Sequence, residues 1–249
     1  MADGKDSKLK AVKGILFDKD GTLLDYYATW MPANREAALA ITQGDQDLAH
    51  RLLIASGYDP AAGRVRSGSA LAAGTNWEIA QCWSLAMSGA CVQKPPEVLI
   101  TVIDEIFERN GRDGAVPVTD LVPFLANLKR MELLLGVATN DSERGAMRSL
   151  GRFGVTGMFD FLAGYDSGHG TKPGPGLVHG FCEATGLAAS EVMVVGDNLH
   201  DLEMGRAAGV GLVVGVLTGT SLHEELAPHA DYVLADIVGL KGLLAAEAA

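Results

Sequence analysis

Short, continuous apolar runs recur near both ends of the chain. The candidate strands, with the three clearest first, are Val12–Phe17, Leu133–Ala138, Val192–Val195, Phe159–Ala163, Val210–Val216 and Tyr232–Leu234. Runs that are apolar at every position are typical of parallel strands buried on both faces. Segments with helical spacing lie between them, such as Asp120–Met131 and Leu199–Ala208, the second of which is ended by Gly209. This alternation predicts an α/β fold with a doubly wound, mainly parallel sheet.

The segment between the first two strands has a different pattern. Residues 28–116 show helical spacing and no convincing strand, and turn residues at Tyr58-Asp59-Pro60 and Gly63 divide the segment. The predicted helices are Asn34–Gln43, Asp45–Ser56, Asn76–Met87 and Pro96–Arg109. We therefore expect residues 1–27 and 117–249 to form a Rossmann-like core, and residues 28–116 to form an inserted α-helical cap domain.

Composition and charge narrow the class of protein. Of the 249 residues 48% are hydrophobic, which is enough to bury a substantial core. The net charge of −11 disfavours a nucleic-acid surface, which needs clustered Lys and Arg. The polar N-terminus and the lack of an apolar run of about 18–20 residues favour a cytoplasmic protein without a membrane span. The three cysteines, at 82, 91 and 182, form no CxxC pair and are expected to be reduced.

The first strand ends in Asp18-Lys19-Asp20-Gly21-Thr22. Carboxylates at i and i+2 of an extended segment point the same way, here at the strand end where open α/β sheets bind ligands. A polar turn without a role is an alternative. An EF-hand is disfavoured because the glycine comes fourth and position 12 is Thr29. The chain contains no Walker motif.

Polar residues also follow the second and third strands. Thr139-Asn140 offers a hydroxyl and backbone N–H groups for a phosphoryl oxygen, although for this pair taken alone a cap of the next helix is the more ordinary role. Asp197 and Asp201 are four residues apart and share one face at a predicted helix start, where Asp197 has capping as its alternative. With Asp18 opposite, these acids suit a hard cation such as Mg²⁺.

Lys172 lies in a loop rich in glycine and proline, Lys172-Pro173-Gly174-Pro175. The restricted backbone of this loop would aim the ammonium, which can neutralise a phosphoryl oxygen as a point charge. A solvated surface lysine is the ordinary alternative. These four motifs are all predicted at, or beside, the carboxyl ends of strands, which favours a single shared site.

The four motifs together resemble the haloacid dehalogenase superfamily, in its phosphatase branch. Asp18–Thr22 is similar to the first motif D-x-D-G-T, Thr139 to the second and Lys172 to the third. Gly196–Asp201 is similar to the fourth motif, G-D-x-x-x-D. The resemblance covers residues 12–25 and about 118–240.

The resemblance implies a role for each matched residue. Asp18 would attack phosphorus and form an aspartyl-phosphate, and Asp20 would act as general acid and then general base. Asp18 and Asp197 would bind Mg²⁺ through their side chains, Asp201 would support it, and Asp20 would contribute its backbone carbonyl. Lys172, Thr139 and the backbone N–H of Asn140 would stabilise the transferring phosphoryl group.

The spacing of the motifs resembles that of phosphatases with a helical cap after motif one, such as the phosphoglycolate phosphatase and β-phosphoglucomutase groups. In such a cap, Arg66 and Asn76 are candidates for binding the leaving group, with solvated loop residues as the alternative. We expect a Mg²⁺-dependent phosphatase acting on a small phosphorylated metabolite, phosphoglycolate-like, as a monomer or homodimer. A phosphomutase is the alternative, and a non-catalytic binding module is a weaker one.

Overall fold

The computed structural model describes residues 7–90 and 93–245, in which the strands are numbered β1–β8 in chain order. They are β1 (Gly14–Phe17), β2 (Tyr58–Asp59), β3 (Arg64–Val65), β4 (Leu134–Ala138), β5 (Phe161–Ala163), β6 (Val192–Gly196), β7 (Leu212–Val216) and β8 (Tyr232–Leu234). Six of them form a parallel sheet in the order β5-β4-β1-β6-β7-β8. The predicted α/β, Rossmann-like fold with a doubly wound sheet is confirmed.

The register of the central strands aligns their carboxyl ends, where the candidate site residues lie. Phe17 of β1 lies opposite Val137 of β4 on one side and Val195 of β6 on the other. The residues that follow these three strands therefore emerge at one edge of the sheet. β1 is flanked by strands that come much later in the chain, an arrangement that opens a ligand crevice at the carboxyl ends.

Helices cover both faces of the sheet. They are Leu121–Arg130, Glu143–Gly151, Gly176–Thr185, Leu199–Ala208, His223–Leu226 and Leu240–Ala245. Successive residues of β1 point to opposite faces, so Ile15 and Phe17 join one buried hydrophobic cluster while Leu16 joins the other. Burial on both faces is the physical reason that these strands are apolar at every position.

A helical layer, residues 26–113, lies over the carboxyl edge of the sheet. Its helices are Tyr26–Ile41, Gln46–Ala55, Ala70–Ala73, Asn76–Ala86 and Pro96–Asp113. The layer has a hydrophobic cluster of its own, in which the fully buried Trp83 donates through Nε1 to Ser56 Oγ at 2.8 Å. We propose that this layer is the cap expected at residues 28–116.

Two predictions within this layer were wrong. The first helix begins at Tyr26 rather than Asn34, because Asp25 caps it by accepting from Ala28 N at 2.8 Å and Pro32 lies inside the helix. Pro32 lacks an N–H, so it interrupts the hydrogen-bond ladder without ending the helix. The segment also contains strands, since β2 and β3 pair as a short antiparallel hairpin. Strands of two residues are too short to produce an alternating pattern.

The chain passes between sheet and helical layer at one place. Asp25 N donates to Val116 O at 2.8 Å, and Val118 N donates to Leu23 O at 3.0 Å, so the two connecting segments are paired side by side. Elsewhere the layer contacts the loop after β7, where Arg64 donates to Thr220 O at 2.8 Å. The loop and the layer also share a hydroxyl–hydroxyl hydrogen bond, formed by Ser67 and Ser221 at 2.8 Å.

Other expectations concern the surface and the chain ends. No helix within residues 7–90 and 93–245 is long and apolar enough to cross a membrane. Cys82 and Cys182 are free thiols, whereas Cys91 lies outside the described residues. The predicted helix end or tail at Leu243–Ala249 is described only as far as Ala245, where the last helix ends.

Candidate active site

Three aspartates meet at the carboxyl edge of the sheet. Asp18 follows β1, and Asp197 and Asp201 lie after β6 and in the first turn of the next helix. Each offers a carboxylate oxygen within 4.8 Å of the others, and all three side chains are buried. The sequence separates Asp18 from Asp197 by most of the chain, and the parallel pairing of β1 with β6 brings them together.

Lys172 is the cation of this cluster. Its Nζ lies 2.5 Å from Asp18 Oδ1 and 2.6 Å from Asp201 Oδ1, and its own side chain is 3% exposed. Burial lowers the pKa of Lys172, but the charges of the two aspartates outweigh this and leave the pKa above its ordinary value. Asn140 Oδ1 accepts from Lys172 N at 3.1 Å and so fixes the loop that carries the lysine. Lys172 is therefore a charged hydrogen-bond donor that is buried and fixed in position, not a solvated surface lysine.

The loop after β7 holds Asp197 from the other side. Thr220 N donates to Asp197 Oδ2 at 2.9 Å, and Thr218 Oγ1 donates to Gly21 O at 2.6 Å. Gly21 has φ of +91°, and a Cβ there would lie 2.6 Å from the Asp197 carboxyl. A Cβ at Gly219 would also collide with that carboxylate. Both glycines are thus required for the backbone to approach Asp197 closely.

The acid cluster lacks positive charge for its number of carboxylates. Burial raises the pKa of Asp18 to about 6, more than the adjacent Lys172 lowers it. Burial, together with the charges of Asp18 and Asp201, also raises the pKa of Asp197 well above its usual value. Asp18 Oδ2 is buried without a hydrogen-bond partner. A hard dication fits this site, because three buried carboxylates are the oxygen ligands it prefers and its charge would offset their mutual repulsion.

Asp20 occupies a second, separate network. Its Oδ1 accepts from Trp30 Nε1 at 2.7 Å, and its Oδ2 lies 2.6 Å from Lys19 Nζ. Lys19 is fully buried and also contacts Asp141 Oδ2 at 3.0 Å. Burial raises the pKa of Asp20, an effect that the charge of Lys19 opposes only in part. A raised pKa is what a carboxyl group needs to carry a proton.

A cavity of about 600 Å³ lies between the sheet edge and the helical layer. The predicted site residues that line it are Asp18, Asp20, Asn76, Thr139, Asn140, Lys172, Asp197 and Asp201. Thr139 is buried, and its Oγ1 accepts from Asp141 N at 3.1 Å. Arg66, which was also predicted to be a site residue, does not line the cavity. It comes directly after the β2–β3 hairpin, and its side chain is exposed.

Sequence reasoning missed several residues of this site. Lys19, Trp30 and Asp141 form the network around Asp20, and Thr220 fixes Asp197. The spacing of Trp30 from Tyr26, one helical turn, was the only available signal, and it was hidden because the helix was expected to start later.

Comparison with known proteins agrees with this geometry. A model of the haloacid dehalogenase-like hydrolase family matches residues 12–209. The phosphoglycolate phosphatase of Yersinia pestis is 28% identical over 94% of this chain and 93% of its own. The N-acetylmuramic acid 6-phosphate phosphatase of Pseudomonas aeruginosa is 29% identical over 81% of this chain and 80% of its own.

A solved structure shows the same fold. The crystal structure of a predicted phosphoglycolate phosphatase from Haemophilus somnus superimposes with a TM-score of 0.72 at 20% identity, covering 94% of this chain and 98% of the other. The chain belongs to the haloacid dehalogenase-like hydrolase family, and within that family it is a phosphatase. The resemblance found in the four motifs, and the class of enzyme that it implied, are confirmed.

Proposed function

We propose that the protein is a Mg²⁺-dependent phosphatase that hydrolyses a small organic phosphate monoester through an aspartyl-phosphate on Asp18. The observation that carries this proposal is the environment of the Asp18 carboxylate. One of its oxygens is held by Lys172, and the other is buried at the cavity without a hydrogen-bond partner. One oxygen is thus fixed while the second is free to bond to phosphorus.

Asp20 supplies the proton transfers. In the first step an oxygen of Asp18 bonds to phosphorus, the ester P–O bond breaks, and the leaving oxygen takes the proton of Asp20. In the second step water attacks the phosphorus of the aspartyl-phosphate and gives one proton to Asp20. The P–O bond to Asp18 breaks, so that phosphate is released and the Asp18 carboxylate is restored. The hydrogen bond from Trp30 and the contact with Lys19 hold the Asp20 carboxyl in place at the cavity wall.

The remaining polar groups stabilise negative charge on the phosphoryl group. Lys172 is a charged donor fixed by two carboxylates, and Thr139 and Asn140 follow β4 at the same edge. Asp18 and Asp197 would hold Mg²⁺, with Asp201 and the backbone carbonyl of Asp20 as further ligands. The ion would supply positive charge that offsets the repulsion between an anionic nucleophile and an anionic substrate.

The names of the relatives guide the choice of substrates to test. The Yersinia pestis relative is named for phosphoglycolate and the Pseudomonas aeruginosa relative for a phosphorylated sugar acid. Both substrates are small phosphate monoesters, and phosphoglycolate is the first one to assay for this chain.

The decisive experiment compares the wild type with Asp18→Asn, each with Mg²⁺ and with EDTA, on p-nitrophenyl phosphate, acetyl phosphate and phosphoglycolate. We expect turnover only for the wild type with Mg²⁺. Asp47→Asn, an exposed aspartate of the helical layer, is the matched control and should behave as the wild type. Substantial Mg²⁺-dependent turnover by Asp18→Asn would exclude the covalent mechanism.

The fate of the phosphoryl group separates the proposal from its alternatives. With a phosphate-labelled sugar phosphate, a phosphatase releases labelled inorganic phosphate, whereas a phosphomutase yields a labelled isomer. Saturable binding of a phosphate ester without release of either product would indicate a binding module.

A further inference from the structure

The wall of the cavity that the helical layer provides determines which leaving groups fit. Its polar and aromatic lining includes Tyr26, Trp30, Asn34, Asn76, Asp104 and Phe107. Among the described residues, no Lys or Arg of the helical layer lines the cavity. The wall therefore offers amides, two carboxylates (Asp104 and Glu108) and aromatic rings to whatever group is attached to the phosphate.

Asn34 has an unused hydrogen-bonding atom in this wall. Tyr26, Trp30 and Asn34 lie one helical turn apart on one face of the same helix. Tyr26 donates to Leu71 O at 2.6 Å and Trp30 donates to Asp20, but Asn34 Oδ1 is buried without a partner in a residue that is 2% exposed. A buried acceptor without a donor is costly. A substrate hydroxyl can donate to it, whereas an ionised carboxylate cannot.

Asp104 adds a negative charge to the same wall. It is exposed at the cavity, and its Oδ1 accepts from Asn76 Nδ2 at 2.7 Å. The remaining oxygen can accept from hydroxyl groups, and it repels an anionic leaving group.

The cations of the cavity are already paired. Lys172 contacts two aspartates of the acid cluster. Arg144 and Arg148, from the core helix Glu143–Gly151, both pair with Glu108 of the helical layer, the first at 3.5 Å. Each Lys or Arg among the described lining residues therefore already has a carboxylate partner, with which a carboxylate of the substrate would have to compete.

Size and aromatic lining favour a leaving group larger than two carbons. The cavity, about 600 Å³, is in the range that accommodates drug-sized ligands. Trp30 and Phe107 contact each other with ring centroids 5.5 Å apart, and both line the cavity. Flat apolar rings beside amides and carboxylates suit a sugar, which presents C–H faces and hydroxyl edges.

We propose that this cavity selects phosphate esters whose leaving group is neutral and rich in hydroxyls, the class of sugar and polyol phosphates, over esters that carry a carboxylate near the phosphate. Asn34 and Asp104 are the residues that accept hydrogen bonds from the hydroxyl groups of the leaving group. The inference rests on the phosphatase activity proposed above, and it differs from the substrates for which the two relatives are named.

The test measures kcat/KM for glucose 6-phosphate, ribose 5-phosphate, phosphoglycolate and phosphocholine, with acetyl phosphate reporting the chemistry alone. We expect the neutral sugar phosphates to exceed phosphoglycolate by about tenfold or more. A preference for phosphoglycolate would overturn the inference. A preference for phosphocholine would also overturn it, because it would show that Asp104 binds a cationic leaving group rather than hydroxyl groups. In both cases turnover of acetyl phosphate would leave the proposed function standing. No turnover of any ester would overturn both.

Two variants test the residues that carry the argument. Asn34→Leu should lower the ratio of kcat/KM for glucose 6-phosphate to that for acetyl phosphate by about tenfold, the effect of one lost hydrogen bond near the upper end of its range. Asp104→Lys should raise the ratio for phosphoglycolate to glucose 6-phosphate by about tenfold. Asp104 is exposed, so this variant keeps the test valid if Asn34→Leu fails to fold.

Glu105→Lys is the matched control, because it makes the same charge change on the same helix at an exposed position outside the cavity lining. Its substrate ratios should equal those of the wild type. Ratios within about twofold of the wild type for both Asn34→Leu and Asp104→Lys would refute the assignment of these residues.

Discussion

Replacement of Lys19 by methionine tests how the acidic site is held together. Lys19 Nζ lies 2.6 Å from Asp20 and 3.0 Å from Asp141, and the lysine side chain is fully buried. It also lies over the ring of Trp30, 5.3 Å from the centroid. Lys19→Met keeps an unbranched apolar side chain that is one atom shorter, and it removes the ammonium group with its charge and its N–H donors. The variant therefore leaves two carboxylates facing each other without their shared cation.

The expected loss of stability follows from burial. Removing one partner of a buried ion pair destabilises a protein by about 3–5 kcal/mol. Here the side chains of Asp20 and Asp141 are 22% and 29% exposed, so water relieves part of the penalty and we expect a value of about 3 kcal/mol. For a chain of this size that corresponds to a decrease in Tm of about 6–12 °C.

Thermal and urea unfolding in the presence of EDTA measure this effect without interference from divalent ions. The matched control is Lys13→Met, which removes an ion pair of the same length, 2.6 Å to Glu191, from a lysine whose side chain is 65% exposed. An exposed pair contributes less than about 1 kcal/mol, so the control should change Tm by less than about 4 °C. Equal shifts for the two variants would show that Lys19 does not neutralise the buried carboxylates.

Three further predictions concern the metal, the backbone and the proton donor. Mg²⁺ at about one hundred times its Kd should stabilise the wild type by about 2.7 kcal/mol, which a thermal shift assay measures, and Asp197→Asn should lose most of this gain; a Tm insensitive to Mg²⁺ would contradict the metal assignment. Gly21→Ala should reduce both stability and turnover more than Gly44→Ala, because both glycines have φ near +90° but only a Cβ at Gly21 would meet the Asp197 carboxyl; equal losses in unfolding and activity assays would refute that contact. Asp20→Asn should slow both steps and allow the phosphorylated enzyme to accumulate, visible as one added phosphoryl group in the intact mass, and an unmodified mass during slowed turnover would count against a proton-donor role for Asp20.

The sheet and the acid cluster could be predicted from the sequence for one physical reason. Parallel strands buried on both faces are apolar at every position, so β1, β4 and β6 are visible as runs, and the residues after them must share an edge. Asp18 and Asp197 could be placed near each other on that basis alone.

The contacts around Asp20 could not be predicted, because they depend on packing between distant segments. A lysine between two aspartates is usually solvated, but Lys19 is fully buried and lies beside Trp30 of the helical layer. Similarly, Arg64 and Arg66 are equivalent in sequence. The hairpin directs Arg64 to the loop after β7 and leaves Arg66 exposed.

The paired connecting segments restrict how the helical layer can move. Both segments leave the sheet side by side and are hydrogen-bonded to each other at Asp25–Val116 and Leu23–Val118, so the chain connects the layer to the core along a single line. A rigid body connected along one line can rotate about that line as a hinge, but it cannot move away from the sheet as a whole. A rotation of the layer away from the sheet edge would break the hydrogen bonds of Arg64 and Ser67 with the loop that also holds Asp197. It would also separate Glu108 from Arg144 and Arg148. We therefore expect the admission of substrate to be coupled to the position of Asp197.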